Sequence, residues 1–233
     1  CLSYLGQSMH WKTLYQSRLT TAEEAVRKIQ SGNRLYLTGN CSVPQTLLKA
    51  LVDYAPNLEN VEICQPLTVA GSDYVAPEMQ GHLRVNSLFI SHNVRQAIND
   101  GRADFTPVLL SELPLLFKRG VLPLDVALVH LSPPNSHGYC TFGIEAGLTK
   151  TASESARIII AEINHQMPRM LGDTLIHISK IDHIVETDYP ISELPQGEEP
   201  DETTIKIASF IADRIPDGAT MQLGIGSIPN AVL

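Results

Sequence analysis

A glycine-rich turn near the end of the sequence is one place where chemistry could occur. The segment Gly224–Pro229 follows an apolar stretch and precedes a helix-like one. Glycines in such a turn let a ligand approach the backbone closely, and exposed amides there can hold a phosphate or a developing oxyanion. A tight strand–helix turn without a ligand explains the pattern equally well. A dinucleotide site is disfavoured, because Pro229 stands where the third glycine of that fingerprint belongs.

A second candidate is the loop Ser132–Tyr139, which directly follows a run typical of a buried strand. Ligands bind to parallel sheets at the carboxyl ends of the strands. Pro133 fixes the direction of the backbone, while Asn135 and His137 offer polar contacts. From the residues alone, a rigid loop whose His137 caps a carbonyl is favoured over a catalytic role.

Glu162 is a third candidate, because it lies in Ala161-Glu162-Ile163-Asn164 at the end of another buried run. A glutamate at this position could act as a general base or as a nucleophile. Acids at strand ends are more often paired for structural reasons, and the residues favour that interpretation here.

Several common kinds of active site are missing from the sequence. It contains no P-loop, no G-x-S-x-G elbow and no H-E-x-x-H pair. His177 and His183 lack a third ligand at zinc-site spacing, so no metal is expected. The four cysteines form no C-x-x-C pair, which argues against a redox site and for a reducing compartment.

The composition excludes some partners. The 233 residues include 17 Lys and Arg against 25 Asp and Glu, so the formal net charge is 17 − 25 = −8. An acidic chain without a basic stripe is a poor match for nucleic acid, where neutralised phosphates supply most of the affinity. No apolar run approaches the roughly 18 residues that span a bilayer, and the first residues lack a signal-peptide pattern. We therefore expect a cytoplasmic protein that binds neither nucleic acid nor membrane.

The elements that must position these candidates alternate between short apolar strands and amphipathic segments. This alternation predicts an α/β fold with a mostly parallel sheet and flanking helices, since continuous apolar runs are typical of strands buried on both faces. The predicted helices cover Thr20 to Gln30, a segment opened by Pro44, Ser91 to Asp100, Leu113 to Lys118 and Glu202 to Asp213, and the predicted strands are Arg34–Leu37, Val61–Cys64, Val126–His130, Ile158–Ala161 and Ala219–Leu223.

The sequence predicts three parts. An α/β domain covers residues 1–186, and a linker rich in Pro, Gly and acids covers residues 187–200. Residues 201–233 form the start of a second, similar domain. One strand and two helices cannot bury a core alone, so we expect the native protein to continue past Leu233.

Several segments in order resemble the acetyl-CoA hydrolase/transferase family, in particular its 4-hydroxybutyrate and acetate CoA-transferases. The ordered set, which runs from Trp11 to Leu233, is more specific than any one segment. The segments are Trp11…Tyr15-x-x-Arg18, Gly39 to Pro44 with Leu47, Arg95-x-x-Ile98-x-x-Gly101-Arg102-Ala103-Asp104-Phe105-x-Pro107-Val108, Ser111-Glu112-x-Pro114, Ser132-Pro133-Pro134-Asn135-x-His137-Gly138, Ala161-Glu162-Ile163-Asn164-x-x-Met167-Pro168 and Gln222-Leu223-Gly224-Ile225-Gly226-x-Ile228-Pro229.

This resemblance implies two related α/β domains with the active site between them, and CoA as a substrate with no other cofactor. It implies ping-pong transfer of CoA between a short-chain acyl-CoA and a carboxylate such as acetate, through a glutamyl-CoA thioester. In the family the glutamate lies a couple of dozen residues beyond the Gln222–Gly226 turn. We therefore expect no catalytic side chain here and no activity from this chain alone. The turn would offer the amide of Ile225 or Gly226 to an oxyanion.

The resemblance also implies substrate-binding residues and a homo-oligomer that needs its carboxy-terminal half. The implied binding residues are Gly39, Asn40, Ser132, Pro133, Asn135, His137, Gln222, Gly224 and Gly226. Some relatives carry a histidine where this sequence has Gly39-Asn40, so the identity of the acyl group stays open. Acyl-CoA hydrolysis by water and a non-catalytic binding domain are the alternative functions.

Overall fold

The computed structural model describes residues 11–194 and 199–233, and its central feature is a parallel sheet. In chain order the strands of the described residues are β1 Arg34–Leu37, β2 Val61–Gln65, β3 Leu83–Ser87, β4 Asp104–Phe105, β5 Leu124–Leu131, β6 Tyr139–Thr141, β7 Ala156–Asn164, β8 Leu175–His177 and β9 His183–Thr187. Seven of them form one sheet in the order β4-β3-β2-β1-β5-β7-β9, and all neighbours in it are parallel. Strands β6 and β8 form a separate antiparallel pair.

Helices cover both faces of the sheet. In chain order the helices of the described residues are α1 (residues 11–18), α2 Ala22–Val26, α3 Gln45–Tyr54, α4 His92–Asn99, α5 Leu113–Lys118, α6 Gly147–Ser155, α7 Glu202–Ala212 and α8 Ser227–Val232. Helices α2, α3 and α4 share one hydrophobic core with Leu35 and Leu37. Helices α1, α5 and α6 share a second core with Tyr36, which lies between those two leucines in β1. Successive strand residues point to opposite faces, so a sheet covered on both sides needs apolar residues at nearly every strand position.

Helix α3 illustrates how the sequence specifies this packing. Leu47, Leu48 and Leu51 are buried at helical spacing, and burying one such side chain stabilises the fold by about 1.5–3 kcal/mol. Lys49 and Asp53 lie on the exposed side, where their side chains form an ion pair at 2.6 Å. The alternation of these residues therefore turns one side of α3 towards the sheet.

The chain divides into two units, Cys1–Glu193 and Leu194–Leu233. The second unit contains α7 and α8, and the Asp201 carboxylate caps α7 by accepting the Thr204 N–H at 2.7 Å. The predicted division into a domain over residues 1–186 and a linker over residues 187–200 stays a prediction. Four residues of that linker, 195–198, lie outside the described residues.

The expected α/β fold with a mostly parallel sheet is confirmed, and β1 and α5 have the predicted bounds. The segment Ala219–Leu223, predicted as a strand, has no neighbouring strand in the described residues and belongs to no sheet. Strands β3 and β9 were missed because Arg84, Asn86, His183 and Glu186 interrupt their apolar pattern. Helix α2 is shorter than the helix predicted there, because the chain turns towards β1 directly after it.

Candidate functional site

The order of the strands reverses at the centre of the sheet. From β1 the chain adds β2, β3 and β4 on one side, and from β5 it adds β7 and β9 on the other. Open parallel sheets bind ligands at such a switch point, in the crevice outside the carboxyl ends of the strands. Gly39 and Asn40 follow β1, and Ser132 and Pro133 follow the neighbouring β5. The fold thus places four of the expected binding residues at one edge of the sheet. This region, between loops 38–44 and 132–138, is here called the carboxyl-edge crevice.

The loops after β1 and β2 approach each other closely beside this crevice. Asn40 N–H donates to the Leu67 carbonyl at 2.6 Å, and Val69 N–H donates to the Asn40 carbonyl at 3.0 Å. Asn40 has φ +51°, and a β-carbon added to Gly39 would lie 2.5 Å from Leu67 O and from Pro66 Cγ. Only glycine fits at position 39 without movement of the neighbouring backbone.

The loop after β5 uses its polar side chains internally. Ser132 Oγ accepts the Thr141 N–H at 2.9 Å, and Asn135 Oδ1 accepts the N–H groups of His137 and Tyr139 at 2.9 and 3.0 Å. His137 itself is exposed. These contacts make the loop rigid, and the substrate-binding role of its residues stays a prediction.

The sheet face that packs on α3 changes from apolar to polar at its carboxyl edge. In β2, β3, β5 and β7 an apolar residue of the α3 core is followed, two positions later, by a polar residue on the same face. The polar residues are Gln65, Ser87, His130 and Glu162, with Asn164 a further two positions along β7, and each is at most 1% exposed. Of this buried layer only Glu162 was predicted as a candidate from the sequence, although the two-residue spacing in each strand could have revealed the rest.

Glu162 and His130 occupy neighbouring positions of β7 and β5 in this buried layer. Glu162 Oε2 accepts the Leu47 N–H at 3.0 Å, whereas Oε1 has no hydrogen-bond partner among the described residues. Burial raises the pKa of the Glu162 carboxyl, and its interactions with Tyr189 and with the Leu47 N–H partly offset this rise. Burial lowers the pKa of His130 to about 4, so its imidazole is neutral at pH 7 and gives Glu162 no counter-charge.

Tyr189 lies over this pair, just after β9. Its hydroxyl oxygen accepts the Gln45 N–H at 3.1 Å, and its ring centroid lies 5.6 Å from that of His130. Burial and the nearby Glu162 carboxylate raise the pKa of the Tyr189 hydroxyl. Asn164 holds the tyrosine in place, because its Nδ2 donates to the Tyr189 carbonyl at 2.9 Å.

The family model of the acetyl-CoA hydrolase/transferase N-terminal domain matches residues 4–194. The chain belongs to the acetyl-CoA hydrolase/transferase family. It is 44% identical over 225 residues to a 4-hydroxybutyrate coenzyme A transferase of Clostridium kluyveri, covering 97% of this chain and 52% of that protein. It is 37% identical over 232 residues to a butyryl-CoA:acetate CoA-transferase of Anaerostipes caccae, covering 96% and 51%.

Solved structures of similar proteins agree with the fold. A 4-hydroxybutyrate CoA-transferase from Porphyromonas gingivalis matches with a TM-score of 0.80 and 36% identity, covering 95% of this chain and 52% of that one. RipA from Yersinia pestis matches with a TM-score of 0.85 and 33% identity, covering 95% and 54%. This acetyl-CoA hydrolase/transferase chain therefore spans about half the length of the relatives it matches.

A groove with a volume of about 990 Å³ lies beside α3 in this acetyl-CoA hydrolase/transferase domain. Its walls include the exposed side of α3, residues 69–71 after β2, and Tyr189. The charged residues that line it are Lys49, Asp53, Asp73, Glu78 and Glu193. Four carboxylates against one ammonium repel polyanions, so this groove does not offer the cationic surface that the phosphates of CoA would favour.

The turn expected to supply an oxyanion donor lies in the second unit of the chain. Gly226 has φ +151° and precedes α8 directly, while Ile225 is 86% exposed. Gln222 Nε2 donates to the Leu223 carbonyl at 3.3 Å. Gln222, Gly224, Ile225 and Gly226 are exposed, and their roles stay predictions.

The described residues contain no group of three or more His, Cys, Asp and Glu side chains that could hold a metal ion. Among the helices of those residues, none combines the length and the hydrophobicity that crossing a bilayer requires. Cys41, Cys64 and Cys140 are free thiols. Burial raises the pKa of Cys140 to about 12, so this thiol is not a nucleophile at neutral pH.

Proposed function

We propose that the protein to which this chain belongs moves CoA between a short-chain acyl-CoA, such as acetyl-CoA or 4-hydroxybutyryl-CoA, and a carboxylate such as acetate. The observation that carries the proposal is the activity named for its relatives, two of which are CoA-transferases with 44% and 37% identity over nearly the whole chain. The carboxyl-edge crevice supports it, because its loops present backbone groups at the switch point of the sheet.

The proposed reaction is ping-pong. A glutamate carboxylate attacks the thioester carbonyl and expels the CoA thiolate, which leaves an acyl-glutamyl anhydride. The thiolate then attacks the glutamyl carbonyl, so that the first carboxylate leaves and a glutamyl-CoA thioester remains. The acceptor carboxylate reverses these two steps and carries CoA away. Each tetrahedral stage needs an oxyanion donor, and we assign one to the backbone amide of Ile225 or Gly226.

We place the nucleophilic glutamate beyond Leu233. Glu162 is fully buried and its Oε2 already accepts the Leu47 N–H, so a thioester has no access to it. Glu145 is 9% exposed and its Oε2 accepts from the Thr149 hydroxyl at 2.9 Å. This chain alone is then inactive and needs its carboxy-terminal half. The proposal includes CoA as substrate without a further cofactor, a cytoplasmic location and a homo-oligomer.

Hydrolysis is the second candidate, and the family's own description names hydrolases beside transferases. Water would then attack the glutamyl-CoA thioester in place of the acceptor carboxylate. Exclusion of water from the closed site decides between the two outcomes.

The test is the intact mass of the longest native protein that contains this chain, measured before and after incubation with acetyl-CoA in the absence of an acceptor. We expect a covalent CoA adduct that disappears when acetate or 4-hydroxybutyrate is added, with new acyl-CoA formed in equal amount. Loss of the adduct in buffer alone at the same rate indicates hydrolysis. Residues 1–233 serve as the control and should form no adduct. The absence of any adduct on the longer protein refutes the covalent mechanism.

A further inference from the structure

Helix α3 begins without a side-chain cap of its own. Its N-cap residue is Pro44, which makes no capping hydrogen bond, although the first N–H groups of any helix need partners. Two partners come from distant parts of the chain: Glu162 Oε2 accepts the Leu47 N–H at 3.0 Å, and the Tyr189 hydroxyl accepts the Gln45 N–H at 3.1 Å. The first turn of α3 is therefore fixed by residues more than a hundred positions away.

Asn164 completes this arrangement. It lies two residues after Glu162 on the same face of β7, and it is fully buried. Its Nδ2 donates to the Tyr189 carbonyl at 2.9 Å, and its Oδ1 accepts the Tyr189 N–H at 3.3 Å. The motif Ala161–Asn164 thus provides one cap of α3 directly and holds the residue that provides the other.

The first turn of α3 determines where loop 38–44 of the carboxyl-edge crevice ends. At its other end, Asn40 fastens the loop to the backbone after β2 through hydrogen bonds with Leu67 and Val69. The loop is only a few residues long between these two attachments, so a shift of the α3 terminus must be transmitted to it. Such shifts matter, because a misplacement of about 1 Å can cost a hundredfold in rate.

We propose that Glu162, Asn164 and Tyr189 are positioning residues that hold the first turn of α3, and with it loop 38–44, in the conformation that receives the acyl-CoA. This inference rests on the proposed function, since it is the crevice beside this loop that would hold the substrate. None of the three side chains is assigned a chemical step. Glu162, the acid that the sequence offered as a possible base or nucleophile, acts on the crevice through the helix.

The main test compares Glu162→Leu with Glu162→Gln in the longest native protein that contains this chain. Gln keeps an oxygen that can accept the Leu47 N–H, whereas Leu removes it at similar volume. We expect Glu162→Leu to raise the KM for acyl-CoA about tenfold, and Glu162→Gln to stay within about threefold of wild type. Hydrogen exchange should accelerate at residues 42–48 in Glu162→Leu and stay at the wild-type rate in Glu162→Gln. A Leu variant with a lowered Tm but wild-type KM overturns the proposal.

Two further variants guard against a general loss of stability. Tyr189→Phe removes the hydroxyl, which accepts the Gln45 N–H and interacts with Glu162, and it should raise KM about threefold even if Glu162→Leu fails to fold. Asp182→Leu is the control at the opposite end of β7, because the exposed Asp182, just before β9, accepts the Ile159 N–H through Oδ2 at 2.8 Å. It should leave KM and the exchange of residues 42–48 unchanged. Equal rises of KM in Asp182→Leu and Glu162→Leu contradict a positioning role.

Hydrogen exchange separates this inference from the proposed function. If the wild-type protein transfers no CoA, the proposed function fails, and the exchange experiment still decides whether these residues position the loop. Faster exchange confined to residues 42–48 in Glu162→Leu and Tyr189→Phe supports the positioning role. Unchanged exchange, or faster exchange over the whole domain, overturns it.

Discussion

Gly39 and Glu162 serve the carboxyl-edge crevice for opposite physical reasons. Gly39 is needed because glycine has no β-carbon, and any β-carbon there would clash with the backbone oxygen of Leu67. Glu162 is needed for an oxygen that accepts a backbone N–H inside the protein, where an unpaired polar group costs about 1–3 kcal/mol. Substitution at either position should therefore have a physical effect that can be measured on the folded domain.

Gly39→Ala should lower the free energy of unfolding by about 1–3 kcal/mol, because the added methyl group lies 2.5 Å from both Leu67 O and Pro66 Cγ. Urea unfolding followed by circular dichroism measures the change. Gly71→Ala is the matched control, since the nearest heavy atom to its β-carbon is 3.9 Å away. Equal stabilities of the two variants would show that the loops after β1 and β2 separate freely.

The buried imidazole of His130 should make the protein less stable in acid. Its pKa is about 4 in the folded state and about 6.5 when unfolded, so between these values the unfolded state binds the extra proton. Stability therefore falls as the pH drops from 6.5 to 4, by up to about 3 kcal/mol from this residue. The raised pKa of Glu162 has the opposite effect on the pH dependence of stability. This effect is the same in the wild type and in a variant without His130.

His130→Gln should remove most of this fall in the free energy of unfolding between pH 6.5 and 4. Urea unfolding at a series of pH values from 7 to 4 measures the slope. If His130→Gln keeps the wild-type slope, His130 accepts its proton in the folded state as readily as in the unfolded one.

The sequence predicted which residues lie at strand ends better than it predicted what their side chains do. Gly39 and Ser132 come just after the predicted strands Arg34–Leu37 and Val126–His130, and a strand end is a local property. The use of the Ser132 hydroxyl within its own loop depends on Thr141, and the cap that Glu162 provides depends on Leu47. Such contacts join residues that only the folded sheet brings together, so local patterns carry no signal for them.

Helices of this domain begin in two different ways. Thr21 caps α2 locally, since its hydroxyl oxygen accepts the Glu24 N–H at 3.2 Å, and this start was readable from the sequence. Helix α3 starts after Pro44 and takes its caps from Glu162 and Tyr189. A locally capped helix is stabilised by its own segment, whereas α3 depends on the assembled sheet.

Thr21→Ala should lower the free energy of unfolding by about 1 kcal/mol, the usual cost of losing an N-cap. The loss should leave the carboxyl-edge crevice unaffected, because α2 precedes the amino end of β1. Chemical unfolding gives the stability, and hydrogen exchange of residues 42–48 reports on the crevice. Thr21→Ser, which keeps the hydroxyl, is the control. An effect on residues 42–48 as large as that of Glu162→Leu would contradict the distinction between the two kinds of helix start.

At the scale of the whole molecule, the two units differ in how much core they contain. Both hydrophobic cores of the sheet consist of residues from the first unit, Cys1–Glu193. In α7 of the second unit, Ala208 is buried while Ile205 and Phe210 are 49% and 66% exposed. Isolated helices of this length are marginal in water, so the second unit should need a partner surface to fold.

Residues 1–193 should therefore unfold cooperatively on their own, while residues 194–233 alone should show little helix by circular dichroism. A fragment ending at residue 187, just after β9, tests where the first unit ends. It lacks Tyr189, whose hydroxyl caps Gln45 and whose backbone binds Asn164, so it should be less stable than residues 1–193 by about 1–3 kcal/mol. Thermal and urea unfolding of the two fragments measure this difference. Equal stability would show that the folded unit ends at β9 and that Tyr189 does not contribute to its stability. The expected loss would show that residues 188–193 belong to the domain.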